Sequence, residues 1–174
     1  MATLGVIPAR KGSKRFPGKN RSLFRGKSLV TWAVEQGLAS DLDMVVISTD
    51  DPEILEPVEI IDRPEHLATD TATSEDVLRH ALSLYPHDSV MLLQPTSPLR
   101  TAWDINQALR LFHVEHQTVI SYRPDGTKNG AIYVCSAEWL KNHTFKDEHI
   151  RYWMPKERSL DIDYPEDVEL SCHC

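Results

Sequence analysis

Acidic residues are missing from the first 34 positions, although the 174-residue chain carries a formal net charge of −7. Eight of the 19 lysines and arginines fall in that stretch, from Arg10 to Lys27. The remainder therefore holds 11 positive charges against 26 negative ones. A nucleic-acid surface spreads basic charge over a face or a helix. Here the charge is confined to one loop and its exit, on a chain that otherwise repels phosphate backbones, so a small polyanion held at one point fits better than a nucleic acid. Cysteine is scarce as well: Cys135, Cys172 and Cys174 make an odd count without framework spacing, which argues against a disulfide scaffold and for a reducing compartment. The Asn-x-Ser/Thr sequons at Asn20 and Asn142 then carry no meaning. No apolar run approaches the roughly 18 residues of a membrane helix, and the N-terminus lacks the charged, apolar and small-residue regions of a signal peptide. A cytoplasmic protein is expected, with no membrane and no nucleic acid as partner. Internal repeats, low-complexity tracts and linkers are also lacking. One domain over residues 1–174 is expected, long enough for a sizeable core.

What is present is a series of short apolar runs rich in Val and Ile: Thr3 to Pro8, Met44 to Thr49, Val58 to Ile61, Ser89 to Gln94, Thr118 to Tyr122 and Ala131 to Cys135. Several are apolar continuously rather than alternately, as strands buried on both faces are. Between them the spacing predicts helices over Leu29 to Ala39, Glu75 to Tyr85, Ala102 to His113 and Pro165 to about Cys172. Thr73-x-x-Asp76 and Thr101-x-x-Asp104 have the form of capping boxes. Alternating strands and helices predict an α/β fold with a mainly parallel sheet, and such sheets bind ligands beyond the carboxyl ends of their strands. The exits at Pro8 to Asn20, Ser48 to Pro52, Gln94 to Arg100 and from Asn129 onward are the places to look.

The first exit reads "IPARKGSKRFPGKN" from Ile7 to Asn20. Glycine, serine, arginine and lysine after the first strand suit a loop that wraps a phosphate chain, its N–H groups cradling oxygens while the cations offset charge. It is not a Walker A loop, because Gly12 and Gly18 have five residues between them rather than four and Asn20 follows Lys19 where Ser or Thr is required. No Gly-x-Gly-x-x-Gly fingerprint is present either. On charge alone a solvated basic loop is the alternative.

The order of residues resembles the signature loop of the cytidylyltransferases that activate acidic sugars, above all the acylneuraminate (sialic acid) enzymes and their nonulosonate relatives. The resemblance continues through "VVISTDD" (45–51), "RPEHLATDTATSEDVLRHAL" (63–82), "LLQPTSPLRTAWDI" (92–105), "NGAIYV" (129–134) and "MPKERSLDIDYPEDVEL" (154–170). It implies a three-layer α/β/α sandwich with a mainly parallel, mixed sheet of the nucleotide-diphospho-sugar transferase type. It also implies transfer of CMP from CTP to the anomeric hydroxyl of an acidic sugar, with release of pyrophosphate and dependence on Mg²⁺. Kdo as acceptor, or a non-catalytic nucleotide-binding protein of the same fold, are the alternatives.

By resemblance, Arg10, Ser13, Lys14 and Lys19 hold the phosphates and Asn20 positions the nucleotide. Arg63, Ala72 (through its backbone) and Ser74 approach base and ribose, although Thr71 to Ser74 also read as plain helix capping. Gln94 faces the acceptor, or is a strand-end hydrogen bonder. Arg100 is either an anion contact or a tie to backbone carbonyls. In an extended Asp161-Ile162-Asp163 stretch both carboxylates point to one side while Ile162 turns to the core, a pair suited to Mg²⁺; Asp163 also reads as a helix cap. Asp50-Asp51 is a weaker pair, readable as a strand end and turn. Cys172-His173-Cys174, His113 and His116 do not form a convincing metal set.

One departure stands out. Relatives insert several tens of residues between the strands spelled here "TVISY" and "NGAIYV", forming a dimerisation arm that brings acceptor-binding charge to the partner's site. This chain has only "RPDGTK", Arg123 to Lys128, with Asp125-Gly126 as a turn signal. A homodimer is left open, without its usual arm. Tyr133 and Phe145 match aromatic positions near the acceptor sugar, or are core residues.

Overall fold

The computed structural model describes residues 1–171; Cys172, His173 and Cys174 lie outside the described residues. Seven strands form one mixed sheet. β1 (Thr3–Pro8), β4 (Met44–Thr49), β5 (Glu59–Asp62), β6 (Ser89–Leu93), β7 (Val119–Tyr122) and β9 (Ile150–Trp153) run one way, and β8 (Lys128–Ser136) is reversed. Their order across the sheet is β5-β4-β1-β6-β8-β7-β9. The continuous apolar runs are explained by burial on both faces. Leu4 and Val6 of β1, with Val90 and Leu92 of β6, face α2 (Ser74–Leu84) and α4 (Ala137–Leu140). Ile7, Val45, Ile47, Met91 and Leu93 face α1 (Leu29–Leu38) and α3 (Ala102–Glu115). Helices thus cover both sides, the three-layer arrangement anticipated above.

Local chemistry sets the helix starts. Thr73 and Thr101 each accept from the backbone N–H three residues on, and Asp76 and Asp104 accept from the cap N–H in return, so both capping boxes form. The last helix, α5 (Pro165–Ser171), begins with proline in its first turn. Four elements escape the pattern reading because they are short. α4 and β9 have four residues each, and β2 (Leu23–Phe24) pairs with β3 (Lys27–Ser28) through a turn with positive φ at both Arg25 and Gly26. β8 starts three residues earlier than the apolar run suggests, because Gly130, with φ of 73°, continues the strand through a shift of register against β7.

β1 has β4 on one side and β6 on the other, so the chain reverses its travel across the sheet between β1 and β6. That is the switch point at which open α/β sheets form a crevice. β8 is reversed, so its beginning lies at the same sheet end as the exits of the parallel strands. Among the described residues no helix is long and apolar enough to cross a membrane.

Candidate functional site

A cleft of about 230 Å³ opens at the switch point, between the exits of β1, β5 and β6 and the start of α2. Arg10, Ser13, Lys19, Asn20, Arg63, Ala72, Ser74 and Gln94 all line it. These residues lie up to 84 positions apart in the chain, and the sheet order is what gathers them.

The basic loop is tied down by neutral and acidic partners rather than by regular structure. The Asn20 side-chain amide donates to the Arg10 carbonyl at 3.0 Å, closing the loop on itself. The Lys11 N–H donates to Asp50 Oδ1 at 2.7 Å. Arg21 pairs with Asp51 at 3.0 Å, and Asp51 also accepts from the Glu53 N–H. Asp50 and Asp51 therefore hold the loop and the following turn against β4 instead of forming a carboxylate pair for a ligand. With the backbone so fixed, Lys19 projects into the cleft with its side chain only 17% exposed.

Arg63 is buried, donating to the Ser48 carbonyl at 2.7 Å and to the Ser48 hydroxyl at 3.2 Å. Burial pulls its guanidinium down to about 10, so it still carries charge at neutral pH. Ala72 spends its N–H on Thr69 Oγ1 at 3.2 Å, leaving the carbonyl as its polar group towards the cleft. Ser74 opens α2, whose amino end gives the cleft wall a positive pole.

Two residues that the sequence pattern did not single out are central here. Asp70, from the loop between β5 and α2, lies 2.7 Å from both Arg10 and Lys14. Lys14 is itself mostly exposed, at the cleft's rim. Lys14 and Arg10 together hold the Asp70 carboxyl below its ordinary value. The signal for Asp70 was a lone carboxylate in a Ser/Thr-rich loop ahead of a capping box, which composition alone does not separate from a turn residue. Gly130 is the second: a Cβ there would lie 3.6 Å from Asp161 Oδ2 and 3.9 Å from Gln94 Nε2, so its bare backbone floors the space where those side chains converge.

Asp161 is half-buried beside Gly130, and Ile162 is fully buried against Phe24 and Leu29, so the two residues diverge as expected of an extended stretch. Burial raises the Asp161 carboxyl, with Asp163 adding to it and Thr96, Arg123 and Lys19 opposing it. Asp163 lies 3.6 Å from Lys19 and 3.9 Å from Arg15. The cap at α5 falls to Asp167, which accepts from the N–H groups of Asp163 and Tyr164 at 2.8 Å each. The Asp163 carboxylate faces the basic loop instead. Asp161 beside Gln94 and Asp163 beside Lys19 are oxygen donors of the kind that could hold Mg²⁺ or Mn²⁺ together with substrate phosphates and water.

Arg100 resolves to the structural alternative. It is 1% exposed and donates to the Gln94 carbonyl (3.2 Å), the Ala131 carbonyl (2.7 Å) and Gln36 Oε1 (2.8 Å). It clamps the exit of β6 to β8 and thereby sets Gln94. Phe145 is not brought to the cleft: its ring is buried, 4.9 Å from that of Tyr133 and 5.9 Å from that of Trp139. The reason is local, since the Phe145 N–H is tied to Glu75 at 2.8 Å and its carbonyl to Lys128 at 2.7 Å. Tyr133 stands between core and site; burial and then the nearby Asp161 raise its phenol to about 12.

A family model described as cytidylyltransferase matches residues 4–138. The chain is 33% identical over 212 positions to an N-acylneuraminate cytidylyltransferase of Escherichia coli O18:K1:H7, covering 97% of this chain and 51% of that one. It is 31% identical over 223 positions to a CMP-N,N'-diacetyllegionaminic acid synthase of Legionella pneumophila, covering 98% and 95%. The chain thus spans about half of the first relative and nearly all of the second. Both alignments are longer than its 174 residues, so both relatives carry insertions that it lacks. In fold it is similar to a CMP:2-keto-3-deoxy-manno-octonic acid synthetase complexed with CTP, with a TM-score of 0.79 at 18% identity, covering 98% of this chain and 97% of that one.

Proposed function

The chain belongs to the cytidylyltransferase family, and on that premise we propose that it transfers CMP from CTP to an acidic nonulosonate-type sugar, releasing pyrophosphate. The observation that carries this reading is the convergence of Arg10, Ser13, Lys19, Asn20, Arg63, Ala72, Ser74 and Gln94 on one cleft, with Asp161 and Asp163 at its end. A triphosphate needs its charge met by cations, and a basic loop whose backbone is held by Asn20 and Asp50 supplies them.

In this reading Arg10 and Lys14 leave Asp70 for phosphate oxygens, Arg forking two of them and Lys acting as a point charge. Lys19 meets charge on the α-phosphate. Arg63 and the backbone of Ala72 hold the nucleoside, with Ser74 at the amino end of α2 beside them. Gln94, fixed through Arg100, orients the acceptor hydroxyl. Its oxygen forms the new bond to the α-phosphorus as the bond to the β-phosphate oxygen breaks, and its proton passes to solvent. Asp161 and Asp163 would hold a divalent cation, Mg²⁺ in the first instance, which when bound neutralises charge on the transferring phosphoryl group.

One domain, residues 1–174, would perform the whole reaction, in a reducing compartment such as the cytoplasm; the buried thiol of Cys135, pushed by burial to about 12, is inert there. The β7–β8 connection is a closed turn, with the Arg123 N–H on the Thr127 carbonyl at 2.8 Å and the Gly126 N–H on the Arg123 carbonyl at 3.0 Å. Nothing in it can reach across to a partner as an arm would, so a homodimer would have to use another surface.

The test is pyrophosphate release. Each nucleoside triphosphate is supplied with Mg²⁺ and, in turn, N-acetylneuraminate, N,N'-diacetyllegionaminate, pseudaminate and Kdo. Turnover with CTP and a nonulosonate is expected. Turnover with Kdo alone moves the acceptor to the alternative, and a rise in melting temperature with CTP but no pyrophosphate from any acid overturns catalysis.

A further inference from the structure

A second cavity, of about 1100 Å³, has Asp161 in its lining. Leu99, Leu160 and Pro124 give it apolar walls, and Arg123 and Lys156 place cations on it. Gln94 lines the first cleft and Asp161 the second cavity, and both side chains lie within 4 Å of where a Cβ on Gly130 would stand.

Carboxylates line this second cavity as well: Asp125, Glu157 and Asp161. Arg158 also lines it, but its guanidinium is spent on Asp104, Nε at 2.9 Å and Nη2 at 3.0 Å. Arg123 differs. Its Nε reaches the Ser159 carbonyl at 3.4 Å, and its Nη1 reaches Thr127 Oγ1 at 3.3 Å and the Lys128 carbonyl at 3.2 Å. All three acceptors are neutral, and Nη2 has no acceptor among the described residues. The neighbouring Asp125 carboxylate is taken up by Thr127, which donates its N–H at 2.9 Å and its hydroxyl at 2.7 Å. Neither Arg123 nor Lys156 has a carboxylate within 4 Å among the described residues. A half-buried guanidinium oriented by neutral acceptors, with one nitrogen left over, is arranged for an anion from outside.

We propose that this second cavity seats the acceptor and that Arg123 and Lys156, from the same chain, read its carboxylate. The inference rests on the transferase reading above and adds which residues select the acid. Geometry limits the ligand class. In a 2-keto sugar acid the carboxylate and the attacking hydroxyl share one carbon, so the group that reads the carboxylate must stand next to the group that orients the hydroxyl. Arg123 meets that condition, since it lines the same cavity as Asp161, whose carboxylate lies with the Gln94 amide beside Gly130. Leu99, Leu160 and Pro124 take the less polar side of the sugar. The short β7–β8 turn is what brings Arg123 there, so the acid is read in cis.

The experiment compares the wild type with Arg123→Gln, Arg123→Lys and Lys156→Gln, using the acid that turns over and its methyl ester. Arg123→Gln is expected to raise KM for the acid roughly tenfold or more, the loss of a charge-assisted bond, while KM for CTP moves less than twofold. Arg123→Lys recovers part of the loss. The methyl ester is poor for the wild type and indifferent to the substitution. An unchanged acid KM in both Arg123→Gln and Lys156→Gln overturns the proposal while leaving the transferase reading intact. If no acid releases pyrophosphate, the transferase reading fails by itself. Binding of N-acetylneuraminate and of its methyl ester to the CTP-loaded wild type then decides: preference for the acid that Arg123→Gln abolishes supports the site, and equal or absent binding overturns it.

Discussion

Arg10 is held by Asp70, Nη2 to Oδ1 at 2.7 Å, both lining the cleft at the switch point of the sheet. The same carboxylate takes Lys14 with its other oxygen. One internal carboxylate thus pairs with both cations that, in the proposed reading, a triphosphate would use. Replacing Asp70 by Asn removes the competitor. CTP is expected to bind two- to fivefold more tightly by titration, the rough scale of an exposed ion pair, with the melting temperature little changed. Weaker binding would show instead that Asp70 holds Arg10 in the orientation the nucleotide needs.

Asp161→Asn is expected to abolish pyrophosphate release, as is chelation of divalent cations, while CTP binding persists. It should not harm the fold. Burial raises the Asp161 carboxyl above its ordinary value, so its contribution is favourable below the ordinary carboxylate range and is lost as pH rises through the raised folded value. At neutral pH the unliganded protein therefore bears a penalty that Asn removes. Urea unfolding at pH 7 should show an equal or higher midpoint for the variant, and a lower one would mark the carboxylate as structural.

Asp104 behaves oppositely. Its own burial pushes its carboxyl up, but Arg158, Thr101 and Tyr152 together outweigh this and hold it below the ordinary range. It is fully buried, caps α3 and carries both bonds from Arg158. Asp104→Ala should cost about 3 kcal/mol in urea unfolding, the scale of breaking a buried pair. The stability it supplies is present above the ordinary carboxylate value and lost as pH falls through the depressed folded one. The acid limb of the wild-type stability profile should accordingly flatten in the variant.

Gly130→Ala tests the floor of the site. The backbone there has φ of 73°, and the added methyl group would stand 3.6 Å from Asp161 Oδ2. A destabilisation of about 1 kcal/mol is expected from the backbone alone. Turnover should fall roughly tenfold or more through misplacement of Asp161 and Gln94. Full activity at reduced stability would separate the glycine from the chemistry.

Much of this architecture is readable from the chain. The continuous apolar runs of β1, β4 and β6 announce burial on both faces, and Thr73 and Thr101 announce their helices. The basic loop, Gln94 and the Asp161-Ile162-Asp163 stretch sit at strand ends, where simple rules direct attention. What is not readable depends on who meets whom across the fold. Arg100 reads as either an anion contact or a backbone tie until Gln36, Gln94 and Ala131 are found around it. Phe145 looks like an acceptor contact until its backbone is seen tied to Glu75 and Lys128. Asp70 has no periodicity to advertise it, and β9 is too short to show one.

The reversed direction of β8 has a consequence for how such a chain can change. The turn from Arg123 to Lys128 leads straight into Asn129 and Gly130, so it abuts the space beside Asp161 and Gln94 while both flanking strands are secured in the sheet. Lengthening a turn adds closure entropy only slowly, so segments can be exchanged at this position with small effect on the rest of the molecule. Grafting a longer β7–β8 segment here would be a way to retarget the second cavity while the nucleotide cleft, built from β1, β5, β6 and α2, stays as it is.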